Sequence, residues 1–451
     1  MSKKTTFVDR EEELALLGEA YKNRPGFLVL YGRRRIGKTR LLQEFLKKHN
    51  GVYYLARLTS HKDNLNGLCS SIEKLYPGFC RGKEYSSLNA LLHDLTKAGC
   101  NLVVIDEFTY WVRTSSQVLS ELQYFVDNVL PKTKILLIIS GSLIGVIERE
   151  VIGGGSPLYG RRTKNIKLSS FKPWHIKGFL PHYSIDERVM AYSVVGGVPY
   201  YLELLAQYNR LNEALKKTVF SKHGVLYVEP DFLLHQEFRN PSVYLRILKA
   251  ISNGYNRLGK ISEYTGIPKT HLPIYLEKLE RIGFIKRIVP LWGKRGYYID
   301  SDYFLRFYYY VVEKVKELIE LELEDEAWSE AEGLLKEYMG LAFEQVVWDL
   351  VPLMYKRKLV PRPAIVGKYL YRDIDVDLII IDPRTRKARL IEVKWSIIDD
   401  YYAEEIIASL QRKKDRIKKL DEYAVEYLII ARRNRAVRYR DKVVDIISLG
   451  L

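Results

Sequence analysis

Cysteine is scarce in this sequence. Three occur in 451 residues, Cys69, Cys80 and Cys100, with no CxxC spacing and no histidine at ligand spacing. That pattern excludes a zinc ribbon or a disulfide-stapled scaffold and leaves three reduced thiols as the expectation. Long apolar runs are missing too. Stretches such as residues 135–139 have strand length and fall far short of the ~20 residues a membrane helix needs. The opening MSKKTTFVDREEE has neither an apolar core nor a small-residue cleavage site. No signal peptide and no membrane partner are therefore expected, and a soluble cytoplasmic protein is the default. No internal repeat or low-complexity tract interrupts the chain.

Acidic residues are outnumbered. Lys and Arg total 72 against 55 Asp and Glu, a formal charge of +17. Such an excess reads either as a polyanionic partner, usually nucleic acid, or as a solubilising surface. With 47% hydrophobic and 28% charged residues the chain is globular, and its length implies several domains.

The first part alternates short apolar runs, at residues 27–31, 52–56, 102–105 and 135–139, with helical patterns. Strands alternating with helices predict crossover units and a parallel α/β sheet. Between the first strand and the first following helix, residues 32–39 read GRRRIGKT, a full match to GxxxxGK(S/T) in the strand–loop–helix context that the motif requires. Backbone N–H groups of Gly32, Arg33, Arg34, Arg35, Ile36 and Gly37 are expected to cradle phosphates, with Arg40 in the helix's first turn. Lys38 is expected to reach the β- and γ-phosphates of ATP, and Thr39 to ligate Mg²⁺. LVVIDE at 102–107 is the complementary acidic strand. Asp106 is expected in the Mg²⁺ shell and Glu107 at the attacking water. Residues 135–139 lead into Ser140, Gly141 and Ser142 at a neighbouring strand tip. Ser140 is placed either to touch the γ-phosphate or water, or to serve only as a turn serine.

These strings, with FVDREEEL at 7–14, SPLYGRR at 156–162 and GGVPYYL at 196–202, resemble the archaeal ATPase family of the AAA+-like STAND group. The resemblance covers about the first half of the chain. It implies that Phe7, Val8 and Arg10 lie near the adenine and that Pro199 packs on the base or ribose. It also implies a phosphate-sensing role for Arg161 or Arg162, which as residues alone read equally as a solvated basic pair. Many STAND proteins carry an arginine where this chain has SGS at 140–142, so γ-phosphate sensing departs from that pattern.

Downstream, residues 244–251, 258–264 and 269–282 read as three helices and 284–298 as a hairpin, with GKRG at its tip. This resembles a winged helix-turn-helix, in which the third helix enters the DNA major groove and the wing meets phosphates. The implied contacts are Lys269, Thr270, Tyr275, Lys278, Lys294 and Arg295. His271 reads as a surface residue. Such a unit also serves as a protein-docking module.

The last hundred residues place Glu344 in a helical pattern, DVDLIIID at 375–382, then LIEVKW at 390–395. This resembles the PD-(D/E)XK, restriction-endonuclease-like core. Glu344, Asp377 and Glu392 would be its metal ligands. Glu392 and Lys394 share one strand face and would act at the attacking water. Gln411 would steady substrate.

The expected architecture is a P-loop ATPase domain at 1–169, a helical lid at 170–236, a winged-helix domain at 237–310, a connector at 311–335 and a nuclease-like domain at 336–451. Two readings result. One is an ATP-hydrolysing protein associated with DNA, whose last domain is a metal-dependent nuclease. The other is a STAND-type nucleotide-controlled switch or scaffold with a silent nuclease-like domain. A homo-oligomer is compatible with both.

Overall fold

The computed structural model describes residues 9–451, so Phe7 and Val8 lie outside the described residues. The chain divides into two compact units, Phe7–Ser170 and Phe171–Leu451.

The first unit runs α1 (Glu11–Lys22), β1 (Gly26–Tyr31), α2 (Lys38–Leu46), β2 (Val52–Leu55), α3 (His61–Glu73), α4 (Leu88–Lys97) and β3 (Leu102–Asp106). It continues through α5 (Phe108–Thr114), α6 (Gln117–Tyr124), β4 (Leu136–Gly141), α7 (Ile144–Val146) and β5 (Lys164–Lys167). All strand pairs are parallel, in the order β2-β3-β4-β1-β5. The central strands are continuous apolar runs because helices cover both faces. Alternate residues divide between two cores. Phe27, Val29, Val103, Ile105, Leu137 and Ile139 face one side. Leu28, Leu30, Val104, Leu136 and Ile138 face the other, with Leu41 and Leu42 of α2. β5, with the polar sequence KNIK, escapes the hydrophobic pattern because it is an edge strand.

The cysteines correct the sequence expectation. Cys69 of α3 and Cys80 are joined in a disulfide, Cα atoms 6.2 Å apart, while Cys100 is free and buried. The chain turns back after α3, which a spacing of eleven residues does not announce.

The second unit opens with helices α8 (Ile176–Phe179), α9 (Ile185–Val195), α10 (Pro199–Leu205), α11 (Leu211–Thr218) and α12 (Glu229–Glu237). Next come α13 (Pro241–Ser252), α14 (Leu258–Thr265), α15 (Leu272–Arg281) and an antiparallel hairpin of β6 (Ile285–Ile288) and β7 (Tyr297–Asp300). Then follow α16 (Tyr303–Tyr310), α17 (Lys316–Glu320) and α18 (Glu324–Lys356), the last a single 33-residue helix that crosses residue 335. A mixed sheet follows: β8 (Ile365–Tyr371), β9 (Ile374–Asp382), β10 (Lys387–Ile398), then α19 (Asp400–Asp415), β11 (Ala424–Asn434) and β12 (Val443–Asp445). Its order is β12-β11-β10-β9-β8, antiparallel from β8 to β10 and parallel from β10 to β12. No helix among the described residues is long and apolar enough to cross a membrane.

Candidate functional site

The loop after β1 is shaped by backbone more than by side chains. Arg35 and Gly37 both take positive φ, 65° and 91°. Gly37 then caps α2, so the helix opens at Lys38 with its N–H groups facing the loop. At Gly32 a Cβ would stand 2.4 Å from the Leu168 carbonyl oxygen, which only glycine tolerates. Lys38 is buried, and its ammonium donates to the carbonyls of Gly32 and Arg33 at 3.0 Å each. Arg10, also buried, donates to Ser169 O at 2.8 Å and Ile36 O at 3.5 Å, and pairs with Glu13 at 2.8 Å. It braces the loop from the side.

β4 lies between β1 and β3, so its tip separates the loop from the acidic strand. Asp106 is fully buried and accepts hydrogen bonds from Thr39 Oγ1 at 2.6 Å, Tyr53 OH at 2.9 Å and Ser140 Oγ. Burial and the neighbouring Asp106 carboxylate push the Tyr53 phenol far up, so it remains a donor. Ser140 is thus committed to Asp106. Glu107 is held differently. Its φ is 51°, a left-handed conformation that non-glycine residues rarely adopt. Its Oε2 accepts from Ser142 N at 3.1 Å and Ser142 Oγ at 2.7 Å, and its Oε1 lies 4.0 Å from Lys38 Nζ. Ser142 was not singled out from sequence; the strand tip SGS was the only signal for it. Arg161 pairs with Asp127 at 2.7 Å, and Arg162 donates to Asn165 and Ile152 O.

A loop presenting a lysine, a threonine and two strand-end carboxylates is phosphate-binding chemistry, and comparison with known proteins agrees. Residues 7–205 match the family described as an ATPase domain predominantly from Archaea, and residues 308–406 match one described as Archaea bacterial proteins of unknown function. An uncharacterized protein of Methanocaldococcus jannaschii is 34% identical over 436 residues, 95% of this chain and 96% of that one. The chain belongs to the archaeal ATPase-domain family. An uncharacterized ATP-binding protein of the same organism is 48% identical over 42 residues, 9% of this chain and 71% of that protein. The solved structure of a Walker-type ATPase of Pyrococcus abyssi is similar at a TM-score of 0.54 and 23% identity, covering 68% of this chain and 97% of that one. At that identity the likeness is one of fold.

In this family member Pro199 falls in the second unit, at the first position of α10. The preceding Gly197 is required sterically: a Cβ there would stand 1.9 Å from Phe171 O.

The C-terminal sheet carries the second group of residues singled out from sequence. Glu392 stands one step past the last β9–β10 pair, opposite Asp377 in register. Val393 N donates to Asp377 Oδ2 at 2.8 Å. Phe343 of α18 packs on Trp395 of β10, ring centroids 5.0 Å apart, which seats Glu344 beside the sheet. The three acids expected as metal ligands are near enough for the charges of Glu344 and Glu392 to act on Asp377, and lysines stand among them. Lys368 of β8 lies 3.2 Å from Glu344, 3.3 Å from Asp375 and 3.7 Å from Asp377. Lys394 and Lys413 take the two oxygens of Glu392, at 2.8 Å and 3.3 Å. Burial, with the charges of Glu344 and Glu392 adding to it, holds the Asp377 carboxyl well above the usual carboxylate range. Lys368 and Lys413 were not anticipated; Gln411, which was, is exposed on α19.

The α13–α15 and β6–β7 region holds the residues expected to meet DNA in differing surroundings. Tyr275 turns against Tyr244, ring centroids 5.5 Å apart, and Lys278 is exposed on α15. Lys269, Lys294 and Arg295 line one shared cavity. Thr270 and His271 are exposed just before α15.

Proposed function

We propose that this chain binds ATP·Mg²⁺ at the loop of residues 32–39, hydrolyses it, and couples that cycle to association with DNA. The observation that carries the hydrolytic part is the placement of Glu107. Its carboxylate is fixed by two donors of Ser142, 4.0 Å from the Lys38 ammonium. Lys38 leaves the Gly32 and Arg33 carbonyls to meet the β- and γ-phosphates, while loop N–H groups take the remaining phosphate oxygens. Thr39 and Asp106 offer adjacent hard oxygens that fit Mg²⁺, with Tyr53 and Ser140 orienting the carboxylate. When bound, that ion neutralises charge on the β- and γ-phosphates. Glu107 then orients the attacking water and accepts its proton. Arg10 and Pro199 are assigned to the adenine side and Arg161 to phosphate sensing, on family resemblance alone.

The test uses two substitutions. Lys38→Ala should abolish nucleotide binding. Glu107→Gln should keep binding and stop turnover, since the acceptor is lost while the ligands of the ion remain. Wild-type turnover in Glu107→Gln would overturn the assignment.

For the C-terminal domain the pairing of Lys368 with Glu344, Asp375 and Asp377 favours the second reading, a STAND-type switch or scaffold whose nuclease-like domain is silent as folded. Metal-dependent cleavage by Asp377, Glu392 and Lys394 requires Lys368 to give up that place.

A further inference from the structure

The six cations Arg257, Lys260, Lys269, Arg287, Lys294 and Arg295 line one open cavity of about 570 Å³ between the first turn of α14 and the β6–β7 hairpin. One carboxylate, Glu263, shares the lining and is taken by Lys260 at 3.0 Å. The other five cations make no ion pair among the described residues. Concentrating like charges costs energy unless a polyanion neutralises them. The walls allow close approach. Lys269 lies across Gly259, where a Cβ would sit 3.6 Å from its Cε, and Arg287 crosses Gly296, where a Cβ would sit 2.8 Å from its Nε. No side chain caps α14, so its first N–H groups add donors to the same wall.

The neighbouring α15 carries no net charge. Its outward residues include the apolar Ile274, 57% exposed, and Glu277 and Glu280, with Glu277 bound to Arg281 at 2.6 Å. It presents no asparagine, glutamine or unpaired arginine, Lys278 is its one lysine, and its two cations are matched by two carboxylates.

We propose that the groove between α14 and the hairpin binds the phosphodiester backbone of duplex DNA and that it does so without reading base sequence. This rests on the DNA association proposed above and replaces its expected recognition helix with a backbone clamp. Each phosphate contact releases counterions, so affinity falls linearly with log salt, by about 0.9 in slope per contact.

The experiment is fluorescence anisotropy of the full chain with two duplexes of unrelated sequence across a salt series. Wild type should bind both duplexes within threefold of each other. Lys294→Ala with Arg295→Ala should flatten the salt slope by about two for both duplexes, and Lys269→Ala by about one. The charge-matched pair Lys47→Ala with Lys48→Ala should leave the slope unchanged. Circular dichroism and the ATPase rate confirm that each variant is folded. Absence of wild-type binding at low salt would overturn the DNA reading itself. Wild-type binding with an unchanged slope in the groove variants, or a strong preference between duplexes, would overturn the groove assignment alone.

Discussion

Ser142 Oγ donates to Glu107 Oε2 at 2.7 Å, and the same oxygen accepts from Ser142 N at 3.1 Å. The serine sits at the tip of β4, the strand inserted between the loop strand and the acidic strand. It therefore aims the carboxylate and has no need to touch nucleotide. Ser142→Ala removes one hydrogen bond to a charged group, about 1.5–3 kcal/mol. We expect kcat for ATP to fall roughly ten- to a hundredfold with KM little changed. Steady-state ATPase kinetics check this, and a rise in KM at constant kcat would mean that Ser142 contacts the nucleotide.

The Lys368 ammonium stands among Glu344, Asp375 and Asp377. Replacing it with methionine strips away the cation that pairs with all three carboxylates and leaves much of their charge uncompensated. Lys368→Met should lower the Tm in EDTA by several degrees, and Mn²⁺ should restore it by binding the freed carboxylates. In wild type the same Mn²⁺ addition should shift Tm much less. Thermal denaturation with and without metal decides this, and an equal shift in both proteins would show that Lys368 does not compete with metal.

Asp300, the last residue of β7, is buried and accepts a hydrogen bond from Ser252 Oγ at 2.5 Å. Burial pushes its carboxyl from the ordinary 3.8 up to about 7. Between these values the folded state holds a proton that the unfolded state has lost. Stability is therefore greatest below 3.8, falls as pH rises toward 7 and stays reduced above it. A three-unit rise corresponds to about 4 kcal/mol. Asp300→Asn should raise stability at pH 8 by a few kcal/mol and leave it nearly unchanged at pH 4, as measured by urea denaturation at the two pH values.

Gly197 leaves no room for a side chain, because a Cβ would meet Phe171 O at 1.9 Å. Phe171 N also donates to Gly197 O at 2.8 Å, so the two segments cannot separate without losing a backbone hydrogen bond. Gly197→Ala should destabilise the second unit by about 3 kcal/mol. Calorimetry should show the loss in one transition, with the ATPase unit's transition retained.

Local patterns made much of this molecule legible. GRRRIGKT fixes its own geometry, since glycines at 32 and 37 supply the backbone freedom and the close approach that the loop needs. LVVID reads as a buried parallel strand with carboxylates at its end because continuous apolarity means cover on both faces. Glu392 and Lys394 share a face because the strand repeats every two residues. What stayed hidden depends on pieces far apart in the chain. Ser142 and Ser140 look alike in SGS, and only the position of β4 between β1 and β3 assigns one to Glu107 and the other to Asp106. Lys368 lies on an edge strand, IVGKYLY, with no chemical motif, and becomes informative only when β8 pairs with β9. Arg257 and Arg287 are separated by thirty residues of helix and turn before they line one groove with Lys294. The sequence by itself determined the parallel sheet and the identity of its phosphate loop, because both follow from residue order over a few turns of chain. Only the tertiary structure decided which charges meet, because ion pairs form between side chains that the fold brings together.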